Sequence, residues 1–336
     1  MRKLLYIGNK LSIHGVNATS IETLGAFLEQ DGWHVYYASS KKNKLIRLLD
    51  MVYKTLIYSR KVDYILIDTY STQNFYYALI ISQLCRLLKV KYIAKLHGGD
   101  LPNRLIKTPF LCDMIFKNAY CISAPSNYLL KYFKINYSNN LKYIPNTVDI
   151  GNYQFIKRDF TSPKLFWVRS FSSIYNPKMA IKVAIELKKI YPNITLCMVG
   201  PDKENIIPKC QELAKNNAID VLFTGKLTKE EWCDLAKNYN IFINTTHFDN
   251  TPISVIEAMA LGLPVVSTNV GGMPDLITHN QNGLLIDDND VIAMKNCIIE
   301  LCNNTQLCET IVVNARNYVE QFDWEIVKKD WQEILK

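Results

Sequence analysis

The chain has 336 residues, of which 49% are hydrophobic, and its formal net charge is +8. That apolar fraction supports packed cores and argues against intrinsic disorder, while the lack of any apolar run near ~18 residues argues against a membrane-spanning helix. The nine Cys form no Cys-x-x-Cys pair and have no His at zinc-ligand spacing, which disfavours zinc and, with no signal peptide predicted, indicates a reduced cytoplasmic protein.

The positive charge is confined to the first half of the chain. Residues 1–150 hold 20 Lys and Arg against 9 Asp and Glu, a net +11, whereas residues 151–336 hold 19 against 22, a net −3. Such asymmetry predicts a polyanionic partner for the first half. No nucleic-acid motif accompanies the charge, so nucleic acid is disfavoured as that partner.

Short apolar runs alternate with helix-length segments along the whole chain. The strands predicted in the first half are Leu4–Ile7, Val35–Ala38, Tyr64–Ile67, Tyr92–Leu96, Cys121–Ser123 and Tyr143–Ile144. Those predicted in the second half are Leu165–Val168, Thr195–Val199, Val221–Phe223, Ile241–Ile243, Val265–Ser267 and Leu284–Ile286. The alternation predicts an α/β protein with two doubly wound parallel sheets. Ligands of such folds lie beyond the C-terminal strand ends, here expected in a cleft between two Rossmann-like domains.

Residues 41–61 form a basic amphipathic segment, Lys-Lys-Asn-Lys-Leu-Ile-Arg-Leu-Leu-Asp followed by more apolar residues and Arg60-Lys61. Two interpretations stay open. The segment is either a helix that rests on an anionic bilayer with its apolar face down, or an ordinary Rossmann helix with a solvated basic face. The charge of the first half favours peripheral membrane contact.

The most informative segment follows the strand Ile241–Ile243 and runs from Asp249 to Ala260. Thr251 is predicted to cap a helix that begins at Pro252, whose missing N–H costs nothing in a first turn. The next two backbone amides then face outward at the positive end of the helix dipole, which makes a seat for a phosphate. Asp249 and Glu257 add carboxylates suited to sugar hydroxyls, so the segment predicts a nucleotide-sugar site.

This segment, with Gly262-Leu263-Pro264-Val265-Val266 and Gly271-Gly272 after it, resembles the C-terminal signature of retaining glycosyltransferases of family 4, which have the GT-B fold. The family carries two acids with seven residues between them, and the first is usually Glu where this chain has Asp249. The resemblance implies that Glu257 binds the nucleotide ribose and that Asp249 holds the transferred sugar. It also implies that the sugar and phosphate are surrounded by Asn250, Thr251, Pro252, Ile253 and Ser254.

Two cations near the start of the second half are candidates for the donor diphosphate. Arg169 directly follows the strand Leu165–Val168. At this position the resembled family has an Arg that stabilises the leaving diphosphate and replaces the metal ion of other transferases. The family's Lys that follows this Arg corresponds to Lys178, although the segment Phe171–Tyr175 lengthens the loop. Ordinary surface positions are the alternatives for both side chains.

The first half offers three more candidates through the same resemblance. His97 and Asp100 follow the end of the fourth strand, where the family has a similar His-Gly-x-Asp sequence. Both are expected to contact hydroxyls of the acceptor or of the donor sugar. Gly15 lies in the loop after the first strand, where relatives have glycines close to the donor phosphates. The dinucleotide pattern Gly-x-Gly-x-x-Gly is absent there, which counts against a nicotinamide enzyme.

The Asp288-Asn289-Asp290 triplet in the second half is better explained by Asp290 as a helix cap than by a metal site.

These features predict a retaining, metal-independent glycosyltransferase that uses no cofactor. It would move a sugar from a UDP- or GDP-linked donor to a glycan or lipid-linked glycan in cell-surface polysaccharide synthesis. The expected domains are residues 1–152 and 153–318, with a final helix in residues 319–336, at Glu320–Leu335, that crosses back to the first. The expected location is cytoplasmic or peripheral on the inner face of the membrane. A sugar-nucleotide 2-epimerase of GT-B fold and a non-catalytic scaffold in a glycan-assembly complex remain as alternatives.

Overall fold

The computed structural model describes residues 2–15 and 18–336. The chain divides into two compact units. Unit 1 comprises the described residues up to Thr147 together with Val327–Lys336, and unit 2 is Val148–Ile326. Each unit is built around a six-stranded parallel sheet, so the predicted α/β architecture with two doubly wound sheets is confirmed.

In unit 1 the strand order is β2-β1-β3-β4-β5-β6. Its elements are β1 (Lys3–Ile7), α1 (Ser20–Gln30), β2 (His34–Ala38), α2 (Lys44–Tyr58), β3 (Tyr64–Thr69), α3 (Phe75–Leu87), β4 (Tyr92–Leu96), α4 (Leu101–Lys107), α5 (Pro109–Phe116), β5 (Cys121–Ala124), α6 (Asn127–Tyr137) and β6 (Leu141–Tyr143). The central strands are almost wholly apolar and buried, as expected where helices cover a parallel sheet.

In unit 2 the strand order is β12-β11-β10-β7-β8-β9. Its elements are β7 (Lys164–Val168), α7 (Pro177–Lys188), β8 (Thr195–Val199), α8 (Ile207–Asn216), β9 (Asp220–Gly225), α9 (Lys229–Leu235), β10 (Ile241–Asn244), α10 (Ile253–Ala260), β11 (Val265–Thr268), α11 (Met273–Leu276), β12 (Leu284–Ile286), α12 (Val291–Asn303) and α13 (Thr305–Val319). Helix α14 (Trp324–Ile334) follows, and its residues from Val327 onward belong to unit 1.

Every strand predicted from the apolar runs is present, but the strand expected at Tyr143–Ile144 is β6 and ends at Tyr143. The helix of the signature segment begins at Ile253 rather than at Pro252, and Pro252 instead of Thr251 occupies the N-cap position. Pro252 has φ −70° and ψ 119°. Proline restricts φ but leaves ψ open, so the residue type alone does not decide on which side of a helix boundary it lies.

The helix expected at Glu320–Leu335 is interrupted. Residues Glu320–Phe322 form a 3-10 turn, Asp323 is extended with ψ 142°, and α14 begins at Trp324. The carboxylate of Asp323 accepts hydrogen bonds from the amides of Glu325 at 2.8 Å and Ile150 at 2.9 Å. An Asp that satisfies free amides at a helix start favours a new N-terminus over a continuous helix.

The last residues of the chain, which belong to unit 1, form hydrogen bonds with the N-terminal part of that unit. The guanidinium of Arg2 donates to the carbonyl of Leu335 at 3.0 Å, and the hydroxyl of Tyr64 donates to the carbonyl of Lys336 at 2.6 Å. Whether the units coincide with folding domains at residues 1–152 and 153–318 stays a prediction. No helix among the described residues is both long and apolar enough to cross a membrane.

Candidate functional site

Four neighbouring strands of unit 2 end at one edge of the sheet, because β11, β10, β7 and β8 are adjacent and parallel. Two glycines let the loops beyond these ends approach one another. A Cβ on Gly200 would lie 1.8 Å from the carbonyl oxygen of Arg169, and one on Gly271 would lie 2.0 Å from that of Asp249. Their φ values of +149° and +55° also favour glycine. The close loops place Arg169 and Asp249 at this edge.

Arg169 and Asp249 form an ion pair. Nη2 of Arg169 lies 2.5 Å from Oδ2 of Asp249, and the two side chains are 15% and 18% exposed. The guanidinium also lies over the ring of Tyr175, 5.0 Å from its centroid. Its Nε is buried without a hydrogen-bond partner in the described part of the chain. The guanidinium therefore retains donor capacity for another anionic group.

The N-terminus of α10 lies next to this pair in sequence, and the loop that leads into it is partly buried. Asn250 and Ser254 are both buried, and the hydroxyl of Ser254 finds no hydrogen-bond partner among residues that the structure describes. The first amides of an α-helix have no partner within the helix, which here applies to Ile253 and Ser254. Amides of this kind at a helix start are the donors that a phosphate seat uses.

Glu257 lies one turn further along α10 and is almost wholly buried. The hydroxyl of Tyr153 donates to its Oε1 at 2.8 Å, and Lys229 forms an ion pair with the same oxygen. Burial, and secondly the charge of Glu257, raises the pKa of Tyr153 far above its ordinary value. Oε2 accepts no hydrogen bond from any described residue, so one carboxylate oxygen is available to a ligand.

Sequence reasoning missed both partners of Glu257. Lys229 opens α9, where the capping box of Thr228 and Glu231 marks the helix start. That pattern predicts the helix but not the target of the lysine. Tyr153 follows a short 3-10 turn and belongs to no predicted element. No local pattern links either residue to Glu257, since the three meet only in the folded chain.

Lys178 does not join the Arg169–Asp249 pair. It is exposed in the first turn of α7. Burial raises the pKa of Cys210 in α8, and the charge of Lys178 partly opposes that rise. Within residues 2–15 and 18–336 no hydrogen bond or ion pair connects Lys178 to Arg169 or Asp249. A role for Lys178 in diphosphate binding stays a prediction.

Unit 1 holds a buried cluster at the ends of β3 and β4. Nε2 of His97 lies 2.7 Å from Oδ1 of Asp68, and the hydroxyl of Tyr6 donates to the same oxygen at 3.0 Å. Burial lowers the pKa of His97, while the charge of Asp68 acts in the opposite direction. Tyr70 stacks on the imidazole with 4.9 Å between ring centroids. The ring of His97 is therefore held on an edge and on a face.

Two residues of this cluster were not predicted. Asp68 is fully buried at the end of an otherwise apolar strand, and its Oδ2 has no hydrogen-bond partner in the part of the chain that is described. Lys95 is buried on β4, donates to Asn146 at 3.2 Å, and has its pKa lowered by burial to about 8. A charged residue inside an apolar strand was the available signal for both.

The other two candidates of unit 1 lie apart from the imidazole contacts. Asp100 is exposed at the N-cap position of α4 and accepts a hydrogen bond from Asn103 at 2.5 Å. Gly15 ends a 3-10 turn with φ +78°, and residues 16 and 17 after it lie outside the described residues. The structure does not bond Asp100 to His97, so its role stays a prediction.

The acidic run after β12 has structural partners. Oδ1 of Asp290 accepts from the amide of Ala293 at 2.7 Å and caps α12, as predicted. Asp288 pairs with Nδ1 of His247 at 2.9 Å. Across the described ranges there is no group of three or more His, Cys, Asp or Glu placed to hold a metal ion.

Comparison with known proteins shows similarity to glycosyltransferases. Residues 153–318 match the family model for glycosyl transferases group 1. An uncharacterized glycosyltransferase of Methanocaldococcus jannaschii is 24% identical over 298 residues, which cover 84% of this chain and 78% of that protein. The capsular polysaccharide biosynthesis glycosyltransferase CapM of Staphylococcus aureus is 35% identical over 150 residues, 43% of this chain and 39% of that one.

Among solved structures, the Anabaena protein HepE in complex with UDP-glucose superimposes with a TM-score of 0.82 at 18% identity, covering 100% of this chain and 99% of that one. At this level of identity the likeness shows a shared fold. The expected GT-B fold is confirmed.

Proposed function

We propose that this glycosyltransferase, whose residues 153–318 match the family model for group 1, transfers a sugar from a UDP-linked donor to a growing glycan. The proposed acceptor is lipid-linked, and the proposed product belongs to a cell-surface polysaccharide. Retention of the anomeric configuration and independence of metal are further parts of the proposal. The names of CapM and of the HepE complex with UDP-glucose support the product class and the donor.

The Arg169–Asp249 pair beside α10 carries this proposal. A guanidinium has five N–H donors in a planar fork that suits phosphate oxygens, and Nε of Arg169 is buried without a partner among the described side chains and backbone groups. A donor diphosphate would supply the missing acceptors and draw the guanidinium away from the carboxylate. Asp249 would then accept from a hydroxyl of the transferred sugar.

The same cation would stabilise the charge that develops on the leaving diphosphate. In a partly buried site such a preorganised donor acts more strongly than in water. The free amides at the start of α10 would add to this stabilisation through the helix dipole. A protein cation and a helix terminus together supply the role that a metal ion has in other transferases.

Glu257 would bind the ribose of the nucleotide. A ribose offers two neighbouring hydroxyl donors, and Oε2 of Glu257 accepts from none of the described residues. Tyr153 holds Oε1 at 2.8 Å, which fixes the orientation of the carboxylate. Lys229, which is about half exposed, pairs with the same oxygen and would reorient when the ribose binds.

In unit 1 we place His97 in contact with acceptor or donor-sugar hydroxyls. Asp68 would act as a positioning residue, because it holds Nε2 of the imidazole at 2.7 Å and directs the other ring nitrogen toward a ligand. Asp100 and Gly15 are proposed to contribute contacts only. Tyr70, stacked on the ring, would restrict its rotation.

Donor binding tests the proposal directly. We expect UDP-glucose or UDP-N-acetylglucosamine to raise the melting temperature in the presence of EDTA, because a ligand of the folded state stabilises it. Arg169→Ala and Glu257→Gln should abolish the shift. The controls Lys182→Ala and Glu186→Gln, exposed or partly exposed residues of α7, should retain it. No shift with any UDP- or GDP-linked sugar, with or without magnesium, would refute the proposal.

A further inference from the structure

Helix α2 carries a stripe of large apolar side chains on the outside of unit 1. Leu45, Leu49, Tyr53 and Leu56 are 66%, 59%, 62% and 51% exposed. Their spacing of three to four residues puts them on one stripe of the helix. We name this stripe the α2 outer face. This stripe is additional to the usual apolar side of a surface helix, which in α2 packs Leu48, Met51 and Val52 against the core.

The opposite side of α2 is buried and partly polar, so the orientation of the helix is specified. Arg47 is buried and donates to the carbonyls of Lys41 at 3.1 Å and Lys42 at 3.4 Å. Thr55 is fully buried and donates to the carbonyl of Met51 at 2.7 Å. A rotation that buried the leucines would expose Met51 and break the tertiary packing of this inner side. The apolar outer face is thus a built feature of the fold.

Positive charge lies at both ends of the outer face. Residues 41–61 contain seven Lys and Arg against one acidic residue. That residue, Asp50, is 3.2 Å from the ammonium of Lys54. Exposed basic side chains lie before and at the start of the helix, at Lys41, Lys42 and Lys44, and just after its end, at Arg60 and Lys61. Apolar side chains flanked by cations match a bilayer surface, where the chains enter the acyl boundary and the cations meet anionic headgroups.

We propose that the α2 outer face docks on an anionic phospholipid bilayer. The inference deepens the proposed function by naming the surface that presents the acceptor, and it rests on that function for the lipid-linked acceptor. A second copy of the chain fits less well, because a symmetric contact would place two segments of net +6 against each other. A lipid surface of negative charge attracts both parts of the segment.

Vesicle binding tests the inference with the full chain. We expect cosedimentation with unilamellar vesicles of phosphatidylcholine and phosphatidylglycerol, weaker binding to phosphatidylcholine alone, and loss of binding as salt rises. The double variant Leu49→Asp/Leu56→Asp should lower the partition coefficient by ~tenfold or more. Val313→Asp, a half-exposed site on α13, is the matched control and should bind like the parent chain.

Three results would overturn the inference. They are the absence of binding to either vesicle, equal binding by Leu49→Asp/Leu56→Asp, and a dimer of the parent chain that this double variant converts to a monomer. The third would assign the face to a second copy. The melting shift with UDP-glucose keeps the two proposals separate, because the double variant should retain it. Vesicle binding without a donor shift would leave the lipid inference standing and remove the proposed function.

Discussion

Asp249→Asn should tighten the binding of UDP while it slows transfer. Oδ2 of Asp249 holds Nη2 of Arg169 at 2.5 Å, and neither side chain is more than 18% exposed. A diphosphate that recruits the guanidinium must break this contact. The carboxylate is therefore a competitor of the diphosphate for the same cation.

The size of the effect follows from the charge that is lost, because an amide oxygen would still accept from the guanidinium but would no longer attract it as an opposite charge. Ion pairs contribute about 0–1 kcal/mol when exposed, and breaking a buried pair costs about 3–5 kcal/mol, so the cost of losing the charge from this partly buried pair lies between these limits. A cost of about 1–2 kcal/mol corresponds to a UDP Kd that is about five- to thirtyfold lower. Unfolding should become easier by about 1–3 kcal/mol, because the buried guanidinium loses its counter-ion.

Isothermal titration with UDP measures the first effect and thermal melting the second. Asp234→Asn is the control, since Asp234 is exposed and forms an ion pair with Lys237 at 2.7 Å. Its UDP affinity should equal that of the parent chain. A UDP Kd for Asp249→Asn that is unchanged or higher would show that Arg169 does not exchange the carboxylate for a diphosphate, and the proposed role of the pair would fail.

Three further outcomes follow from the described contacts. Asp68→Asn should lower the pKa of His97 below its already lowered value, because Asp68 raises it; an NMR titration that shows no change or a rise contradicts the pairing. Gly200→Ala should lower stability by at least about 2 kcal/mol, since its Cβ would meet a carbonyl oxygen at 1.8 Å. Gly32→Ala is the control, because Gly32 has φ +87° and its added Cβ would meet no described atom within 4 Å; it should lower stability by only about 1 kcal/mol. An equal loss of stability in the two variants would refute the clash. Burial lowers the pKa of Lys95 from the ordinary 10.5 to about 8. Between pH 8 and pH 10.5 this lysine therefore binds fewer protons in the folded chain than in the unfolded chain. Stability should therefore rise with pH across that window, and urea unfolding of Lys95→Met should show this rise reduced by about 3 kcal/mol.

The strand pattern and the donor segment were readable along the chain. Apolar runs separated by helix-length segments located the strands, because parallel strands under helices are apolar over most of their length. The acids Asp249 and Glu257 and the cation Arg169 were readable as donor-site candidates, since strand ends and a helix start define where such groups lie. Even here α10 begins one residue later than predicted, because proline leaves ψ undetermined.

What only the tertiary structure decided was which side chains meet. Asp68 and His97 come from neighbouring strands 29 residues apart in sequence, and Lys229 and Glu257 from helices 28 residues apart; no local pattern specifies such pairs. The same holds for α2, whose sequence was compatible with an apolar face packed on the sheet or turned outward. Amphipathic periodicity determines that a helix has two faces, but the shape and polarity of the surface beneath it determine which face is buried.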